Sequence, residues 1–286
     1  RVKRILGIVN GTTNYILDRM DSRGDDLDEA LAEATRLGYA EADPTADIEG
    51  FDAAQKAAIL ASLAFHTTVP LEAVHREGIT AITRDQVVAA RKAGYVVKLL
   101  AICERLTVDG IEGVSARVHP ALVPLDHPLA AVHGANNAVF VQAEAAGSLM
   151  FYGAGAGGIE TASAVLGDLV SAARRHVAGG PGVAESTHAN LPVLPVSSAT
   201  TRYQVTLEVA DEPGVLAGIA QLFSDHGVSV EAVSQSVRDG QEVERPTATL
   251  VIVTHEAVES SLAATVASLA ASSVVASVVS VLRVEG

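Results

Sequence analysis

Five acidic side chains and one lysine cluster in a short segment that runs from a loop into an alanine-rich stretch. They are Glu41, Asp43, Asp47, Glu49, Asp52 and Lys56. The start of a surface helix favours one or two acids, because the N–H groups of the first turn attract negative charge. Five acids with a lysine exceed that need. The excess predicts a site for a small, polar molecule that carries an amine.

Asp52 and Lys56 are four residues apart on a predicted helix over 50–66, so their side chains can meet. The alternative is a surface ion pair, which contributes only about a few tenths of a kcal/mol. The helix is otherwise almost uncharged, so we expect it to be buried on all sides. Buried Lys and Asp are rare unless they are paired or functional. A lysine oriented by a carboxylate can exchange a proton with an alcohol or carbonyl oxygen.

The composition argues against several classes of function. The chain has 286 residues, enough for two domains, and 49% of them are hydrophobic, which allows a sizeable core. The formal net charge of -14 disfavours nucleic-acid binding, which depends on Lys and Arg. The single cysteine, Cys103, is predicted to be a small buried hydrophobe and favours a cytoplasmic location. No apolar run reaches the roughly 18–20 residues of a transmembrane helix, and the histidines lack metal-ligand spacing. We therefore expect neither membrane nor metal binding.

Hydrophobic periodicity divides the chain into two parts with different patterns. A stretch rich in glycine, proline and serine over 179–198 separates them. In the first part we predict strands over 5–9, 79–83, 95–104, 111–119, 138–144 and 148–152, and helices from residue 12 or 13, and over 27–37, 50–66, 84–92 and 161–177. The second part has the order strand, helix, strand, strand, helix, strand, with a polar loop that contains Asp239-Gly240. That order predicts a small antiparallel sheet with two helices on one face.

Two turns that contain glycine could bring the backbone close to a ligand. Gly11 and Thr12 stand at a helix start, where backbone N–H groups are free, although a plain helix cap at Thr12 or Thr13 is the simpler explanation. Residues 153–158 (GAGAGG) lie between a strand and a helix. They do not fit the Gly-x-Gly-x-x-Gly fingerprint of a βαβ dinucleotide-binding unit. Their glycine density indicates only that the backbone approaches something closely.

Two known families share motifs with this chain. Over residues 1 to about 180 the chain resembles homoserine dehydrogenase, through GIVNGTTNYIL at 7–17, GYAEADPTADIEGFDAAQK at 38–56, YVVKLLA at 95–101, GAGAG at 153–157 and TASAV at 161–165. The tail resembles an ACT domain, through DEPGVL at 211–216 and GVSV at 227–230. The resemblance implies an α+β fold, with a mixed-sheet substrate and dimerisation domain over 1–180, a linker over 181–199 and a ferredoxin-like βαββαβ ACT domain over 200–286.

The resemblance also implies an activity and a set of site residues. The dehydrogenase family oxidises L-homoserine reversibly to L-aspartate 4-semialdehyde with NAD or NADP, and by position Lys56 and Asp52 are its acid–base pair. The implied substrate-binding residues are Glu41, which takes the amine, with Asp47, Thr12 and Tyr39. The implied cofactor-contacting residues are Gly11, Thr12, Gly153, Gly155 and Gly157. For the ACT-like tail, L-threonine is the expected effector, and the implied contacts are Asp211, Pro213, Gly214, Val215 and Leu216. We expect a homodimer or homotetramer.

Two features depart from the dehydrogenase pattern. No strand–Gly-x-Gly-x-x-Gly–helix unit precedes Arg1, so we expect a part of a dehydrogenase that lacks the main NAD(P)-binding domain and is inactive alone. Ile159-Glu160 stands where a small or apolar pair is expected, and a glutamate there could disturb closure against the cofactor. The alternative is a non-catalytic, amino-acid-binding regulatory protein with a vestigial substrate domain.

Overall fold

A computed structural model describes residues 1–180, 184, 186–237 and 247–285. The chain divides into two compact units, one formed by Arg1–His119 and Leu125–Leu194, the other by Pro120–Pro124 and Pro195–Gly286. Both mix helices and strands, so the α+β class is confirmed. The predicted limits at 180 and 200 stay a prediction. The Asp239-Gly240 loop and the Pro181-Gly182 part of the predicted linker lie outside the described residues.

The first unit is built on one mixed sheet. Its strands are β1 (Val2–Ile8), β2 (His75–Arg76), β3 (Tyr95–Val108), β4 (Ile111–Pro124), β5 (Asn136–Ala143) and β6 (Gly147–Ala154). The order across the sheet is β6-β5-β1-β3-β4, and β2 pairs with β4. The β1–β3, β1–β5 and β5–β6 pairs are antiparallel, whereas the β2–β4 pair is parallel. The core is mainly aliphatic. Cys103 lies in it, and burial raises the pKa of its thiol to about 12, which agrees with the prediction of an inert, buried cysteine.

In the described part of this unit, six α-helices accompany the sheet. They are α1 (Gly11–Arg23), α2 (Leu27–Arg36), α3 (Thr45–Ile48), α4 (Phe51–Phe65), α5 (Arg84–Lys92) and α6 (Gly158–Ala178). Helix α2 begins with a capping box between Asp26 and Glu29. It ends at Arg36 with Leu37 as the C-cap, and Gly38 follows with a φ of 79° in the left-handed region, as in the common glycine termination of helices.

Two of the sequence expectations for this unit are wrong. The strand predicted over 79–83 is absent: Ile79 donates its N–H to the Ile48 carbonyl, and Thr83 caps α5 in a capping box with Gln86. Capping chemistry therefore overrides the β-branched residues there. Helix α4 is not buried on all sides, because Ile59 is 58% and Leu63 68% exposed.

The second unit has the ferredoxin-like order expected from the sequence. Its elements are β7 (Thr200–Ala210), α7 (Val215–Asp225), β8 (Val230–Val237), β9 (Thr247–Thr254), β10 (Ala257–Val258), α8 (Glu259–Ala271) and β11 (Val275–Val284). The sheet order is β11-β7-β9-β8, with antiparallel pairs throughout. Apolar residues of β7, β9 and β11 form one core with residues of α7 and α8, so the alternating pattern of β7 faces the helices on one side. Ala121 and Leu122, counted with this unit, pair with the end of β11.

Candidate active site

Asn10 links the acidic segment to the start of α1. Its side-chain oxygen accepts hydrogen bonds from the N–H (2.8 Å) and the hydroxyl (2.9 Å) of Thr13, so Asn10 is the N-cap, and the expectation of a cap at Thr12 or Thr13 is wrong. Its Nδ2 donates to Asp47 Oδ1 (2.6 Å) and to Asp52 Oδ2 (2.8 Å). These four bonds use the whole hydrogen-bonding capacity of an amide. One buried side chain therefore ties two carboxylates to a helix start.

Lys56 meets Asp52 as the helical spacing predicted. Its ammonium donates to Asp52 Oδ2 (2.8 Å) and to the carbonyl oxygen of Val9 (2.9 Å) at the end of β1. An ammonium has three N–H donors, so one is left without a partner among the described residues. The Lys56 side chain is 44% exposed, so the expected burial of this lysine is wrong. The remaining N–H of Lys56 is accessible to a molecule that enters from solvent.

The Val9 carbonyl also accepts a hydrogen bond from the side chain of Asn137. Asn137 Nδ2 lies 3.3 Å from the Val9 oxygen, and Asn137 Oδ1 is buried with no hydrogen-bond partner in the described part of the chain. Sequence reasoning missed both asparagines. Asn10 had a detectable signal as a cap-type residue before Gly11, but Asn137 had none, since only the strand pairing brings it here.

Contacts within the protein explain why glycine stands at several of the positions assigned to cofactor binding. A Cβ on Gly11 would lie 2.6 Å from the Ala135 carbonyl oxygen, and one on Gly155 would overlap the Asn137 amide. Gly155 thus confirms the expected close approach, although the neighbour is the protein itself. Gly157 has a φ of 150°, and the Glu160 carboxylate occupies the space where a Cβ would stand. Around Gly153 there is open space. This turn follows β6, which pairs antiparallel with β5, so it is not part of a Rossmann βαβ unit.

Thr12 and Tyr39 lie together beside the Asn10 cluster. The Thr12 hydroxyl donates to the Tyr39 carbonyl oxygen at 2.7 Å, which fastens the loop after α2 to the start of α1. The Tyr39 ring packs on Tyr15 with 4.9 Å between centroids, and it remains exposed on its other side. The first two N–H groups of α1, from Gly11 and Thr12, have no partner within their own helix. They can bind an oxygen atom of a ligand.

Three of the five acids, Glu41, Asp43 and Glu49, lie outside this network. Asp43 accepts the N–H of Thr45 at 3.1 Å, and the Thr45 hydrogen bonds hold the pKa of Asp43 below its usual value. Asp43 therefore serves the start of α3. Glu41 is exposed and makes no hydrogen bond or ion pair with other described residues. The structure thus brings together Asp47, Asp52 and Lys56 through Asn10, and leaves Glu41 free in the adjoining loop.

A clamp formed by residues 76–79 fixes the turn between α3 and α4. The Arg76 guanidinium lies 3.5 Å from the centroid of the Phe51 ring and donates to the Glu49 carbonyl. The Ile79 N–H donates to the Ile48 carbonyl at 2.7 Å. Gly78 passes so close to that carbonyl that a Cβ would overlap it. Because this turn carries Asp47 and Asp52 on its two sides, the clamp sets the spacing of the two carboxylates.

The residues assigned to effector binding lie at the turn between β7 and α7. Gly214 precedes α7 with a φ of 95°, a backbone conformation that favours glycine. Asp211 accepts a hydrogen bond from Gln235 of β8 at 3.2 Å, Val215 is buried, and Leu216 is exposed. The turn presents the first N–H groups of α7 beside an exposed apolar side chain.

Two further properties concern only the part of the chain that the structure describes. There, no helix combines the length and apolar character needed to cross a bilayer. The same ranges contain no group of three or more His, Cys, Asp or Glu side chains that could hold a metal ion.

Sequence families match both units. Residues 1–170 match the family described as homoserine dehydrogenase, and residues 203–271 match the ACT domain. The chain belongs to the homoserine dehydrogenase family. The homoserine dehydrogenase of Corynebacterium glutamicum is 56% identical over 286 residues, and that of Mycobacterium leprae is 59% identical over 288 residues. Both alignments cover 100% of this chain.

Solved structures of the homoserine dehydrogenase family have the same fold. The enzyme of Thiobacillus denitrificans superposes with a TM-score of 0.91 at 40% identity and is covered to 64%. The enzyme of Staphylococcus aureus at pH 6.0 gives a TM-score of 0.74 at 32% identity and is covered to 66%. Each match covers 100% of this chain. The chain spans 63% of the Corynebacterium glutamicum relative and 65% of the Mycobacterium leprae relative.

Proposed function

We propose that this chain provides the substrate-binding and proton-transfer site of an enzyme that oxidises L-homoserine reversibly to L-aspartate 4-semialdehyde with NAD or NADP. The observation that carries the proposal is the Asn10-linked cluster of Asp47, Asp52 and Lys56, in a chain that belongs to the homoserine dehydrogenase family. The substrate of that reaction combines an amine with a terminal hydroxyl. The cluster offers carboxylates for the first and an amine for the second.

Lys56 is the group at which we place the proton transfer. Asp52 and the Val9 carbonyl hold two sides of its amine, which leaves one N–H direction for the substrate oxygen. In the oxidation, a neutral Lys56 amine accepts the hydroxyl proton, and in the reduction the ammonium returns it to the carbonyl oxygen. Asp52 orients the amine through its hydrogen bond.

The substrate ammonium is assigned to the acids around the loop after α2. Glu41 has no partner among the described residues, and Asp47 is held by Asn10 through only one of its oxygens. An ammonium that binds both would complete their hydrogen bonds. Thr12 and Tyr39 would lie beside the bound substrate, since they join that loop to the start of α1.

The nicotinamide cofactor supplies the hydride acceptor for the reaction. The first N–H groups of α1, from Gly11 and Thr12, and the open space at Gly153 suit contact with such a group. Gly155 suits it less directly, because the Asn137 amide already fills the space beside it, and Gly157 faces Glu160. We therefore assign the cofactor contacts to the Gly11–Thr12 turn and to Gly153, with Gly155 and Gly157 shaping the turn that carries Gly153.

The test is a chimera that joins this chain to the part of the Corynebacterium glutamicum relative outside the match. NAD(P)-dependent oxidation of L-homoserine is followed by cofactor absorbance, with Lys56→Met, Asp52→Asn and the exposed-surface control Lys92→Met. Loss of a general acid–base group costs about 10²–10⁴-fold, so Lys56→Met is expected to lower kcat by that factor and Lys92→Met to leave it unchanged.

Substrate recognition is tested on the same chimera with two alcohols that differ only in the amine, L-homoserine and 4-hydroxybutyrate. The amine-free alcohol is expected to have a KM at least about tenfold higher, and Glu41→Gln to narrow that difference. A folded chimera that shows no Lys56-dependent turnover contradicts the proposal. That result would favour the non-catalytic, amino-acid-binding alternative.

We propose that the second unit binds a small amino acid, L-threonine, at the β7–α7 turn as a feedback effector. The ACT match over 203–271 and the positive φ of Gly214 at the start of α7 support this. Amino acids carry a carboxylate, which suits free N–H groups at a helix start. Asp211, Pro213, Val215 and Leu216 would line the turn.

We propose that the chain forms a homodimer or homotetramer through β6. This strand is at one end of the order of the first sheet and exposes four consecutive apolar or aromatic residues, Leu149, Met150, Phe151 and Tyr152. Such a strand edge in a folded protein is usually covered. Light scattering that returns only the monomer mass of 29.4 kDa contradicts this proposal.

A further inference from the structure

Lys98 is a buried lysine that the proposed reaction does not use. It lies near the start of β3 and is 2% exposed. Its ammonium donates to Asn14 Oδ1 at 2.9 Å and to the Val132 carbonyl oxygen at 2.6 Å. In the described part of the chain no carboxylate forms an ion pair with it. Lysines are almost never buried without a charged partner, so the burial of Lys98 against neutral acceptors is unusual.

Asn14 connects Lys98 to a loop. The two N–H groups of Asn14 Nδ2 face three carbonyl oxygens of that loop, those of Val132 (3.1 Å), Gly134 (2.8 Å) and Asn136 (3.3 Å). Lys98 takes the oxygen of the Asn14 amide, so the nitrogen must face the loop. The lysine therefore fixes which way the amide points.

The same loop reaches the Lys56 site. Its Ala135 carbonyl lies against Gly11, the first residue of α1. The residue that follows the loop, Asn137, donates to the Val9 carbonyl that also accepts Lys56. A continuous set of hydrogen bonds and close contacts thus leads from Lys98 to the amine of Lys56.

We propose that Lys98 is a positioning residue for the Lys56 site: it orients the Asn14 amide, which holds loop 132–136 and keeps Asn137 on the Val9 carbonyl. The effect on Lys56 rests on the proposed function, whereas the effect of Lys98 on loop 132–136 does not depend on any reaction. Lys98 itself touches none of the groups assigned to the substrate.

The charge of Lys98 makes this hold depend on pH. Burial lowers the pKa of Lys98 from 10.5 to about 8, against the opposing effect of Asp18 and Asp21 on α1. Both acids have partners on neighbouring elements: Asp18 contacts His133 (2.7 Å) and the Gly134 N–H, and Asp21 pairs with Arg91 of α5 (3.5 Å). A neutral amine keeps two N–H groups, which is enough for both acceptors of Lys98.

Proton linkage gives the direction in which pH changes the equilibrium between the open and closed forms of the loop. When the loop opens and water reaches Lys98, its pKa returns toward 10.5, so the open form binds the proton more tightly than the closed form. Between about pH 8 and about pH 10.5 the closed form is therefore favoured as pH rises, by up to about tenfold per pH unit. Below pH 8 both forms are protonated, and the opening equilibrium does not change through Lys98.

Hydrogen exchange of peptides that contain residues 132–137 tests the proposal on the chain as it is. Lys98→Met leaves Asn14 Oδ1 without its lysine donor and removes one of the two donors to the Val132 carbonyl, so it is expected to lower loop protection about fivefold or more at pH 7. The ratio of wild-type to Lys98→Met protection at each pH cancels the intrinsic exchange rates. We expect that ratio to rise above pH 8, and Lys92→Met to behave as wild type. A ratio that stays constant from pH 7 to pH 10 overturns the proposal.

Asp21→Asn supplies a second test that keeps the lysine in place. Asp21 raises the pKa of Lys98 and does not contact the loop, so its removal should move the rise in loop protection to lower pH. Asp28→Asn, an exposed acid on α2, is the matched control and should leave the rise unmoved. An unmoved rise in Asp21→Asn overturns the assignment to Lys98, and this test stands even if Lys98→Met fails to fold.

Kinetics of the chimera separates this inference from the proposed function. In a chimera that is active, Lys98→Met is expected to lower kcat more than it raises KM, because Lys56 is displaced while the carboxylates remain. If the wild-type chimera is inactive but the exchange results hold, the proposed function fails and the hold on the loop stands. If the chimera is active and exchange is unaffected by Lys98→Met, the inference fails alone.

Discussion

At the scale of single residues, the Asn10 amide is the part of the site with least freedom to change. It faces two carboxylates on its nitrogen side and the Thr13 N–H and hydroxyl on its oxygen side. An aspartate has the same shape but only acceptors at neutral pH, so it could cap the helix and could not bind Asp47 or Asp52. An alanine could do neither.

The pair Asn10→Asp and Asn10→Ala therefore separates the two roles of this residue. Asn10→Ala is expected to destabilise the first unit by about 1–2 kcal/mol through loss of the cap, as measured by urea unfolding. Asn10→Asp keeps the cap but places a third negative charge against two others, so kcat/KM of the chimera for L-homoserine should fall about tenfold or more. Wild-type kinetics in Asn10→Asp would show that the bridge to the acids is dispensable.

The sequence predicted the part of the site that depends on local spacing. Asp52 and Lys56 meet because positions four apart on a helix always face each other. The bridge from Asn10 to Asp47 joins residues that are 37 positions apart, and the contact of Asn137 with the Val9 carbonyl spans 128 positions. Such contacts depend on tertiary packing, for which one sequence without relatives gives no direct signal. The exposure of Lys56 was missed for the same reason.

At the scale of elements, the clamp of residues 76–79 on the α3–α4 turn is what sets the distance between Asp47 and Asp52. It combines a cation–π contact, two hydrogen bonds and a glycine with no room for a side chain. The atoms that face Gly78 belong to the backbone of Ile48 and Glu49, so they cannot rotate away. Any side chain at Gly78 must move the turn.

Gly78→Ala is accordingly expected to destabilise the chain by about 1–3 kcal/mol, the usual cost of overpacking. It should also lower the kcat/KM of the chimera for L-homoserine. Gly167→Ala is the matched control, because it lies within α6 with no atom near the new Cβ and should be neutral or slightly stabilising. Denaturant unfolding of the two variants measures the difference. Equal stability of both variants would contradict the role assigned to the clamp.

Helix bounds were the most predictable feature at this scale, since capping is local chemistry. The helix predicted over 84–92 is α5, and the expected cap at Asp26 and the stop at Gly38 both occur. The strand wrongly predicted over 79–83 is also explained by helix capping. Ile79, Ile82 and Thr83 are typical of strands, but Thr83 is also a good cap, and the neighbouring backbone was already paired with Ile48.

At the scale of the whole molecule, the chain joins a unit of the homoserine dehydrogenase family to a unit of the ACT family. The ferredoxin-like order of the second unit followed from the alternation of apolar residues, which is strong in strands that cover two helices on one face. The sheet of the first unit was harder to predict, because most of the central strands β3 and β4 are buried on both faces and show little alternation.

The effector proposal makes a prediction for the chain as a whole. A ligand that binds only the folded form raises its stability by RT ln(1 + [L]/Kd), about 2.7 kcal/mol at a hundred times Kd. L-Threonine should therefore raise the Tm in a concentration-dependent way, whereas D-threonine should not. Gly214→Ala strains a backbone that has a φ of 95° and should abolish the shift. Absence of both a Tm shift and calorimetric heat with L-threonine would contradict the proposal.

The shared acceptor at Val9 has a practical consequence for mutagenesis. The oxygen that holds Lys56 and Asn137 belongs to the main chain, so no substitution of the Val9 side chain deletes it. A scan of position 9 would report only how well a buried apolar side chain packs. The atom would be recorded as unimportant, although it joins a strand end, a helix and a loop. Replacement of the peptide bond that follows Val9 by an ester, which weakens that carbonyl as an acceptor, would reveal its contribution where side-chain substitutions cannot.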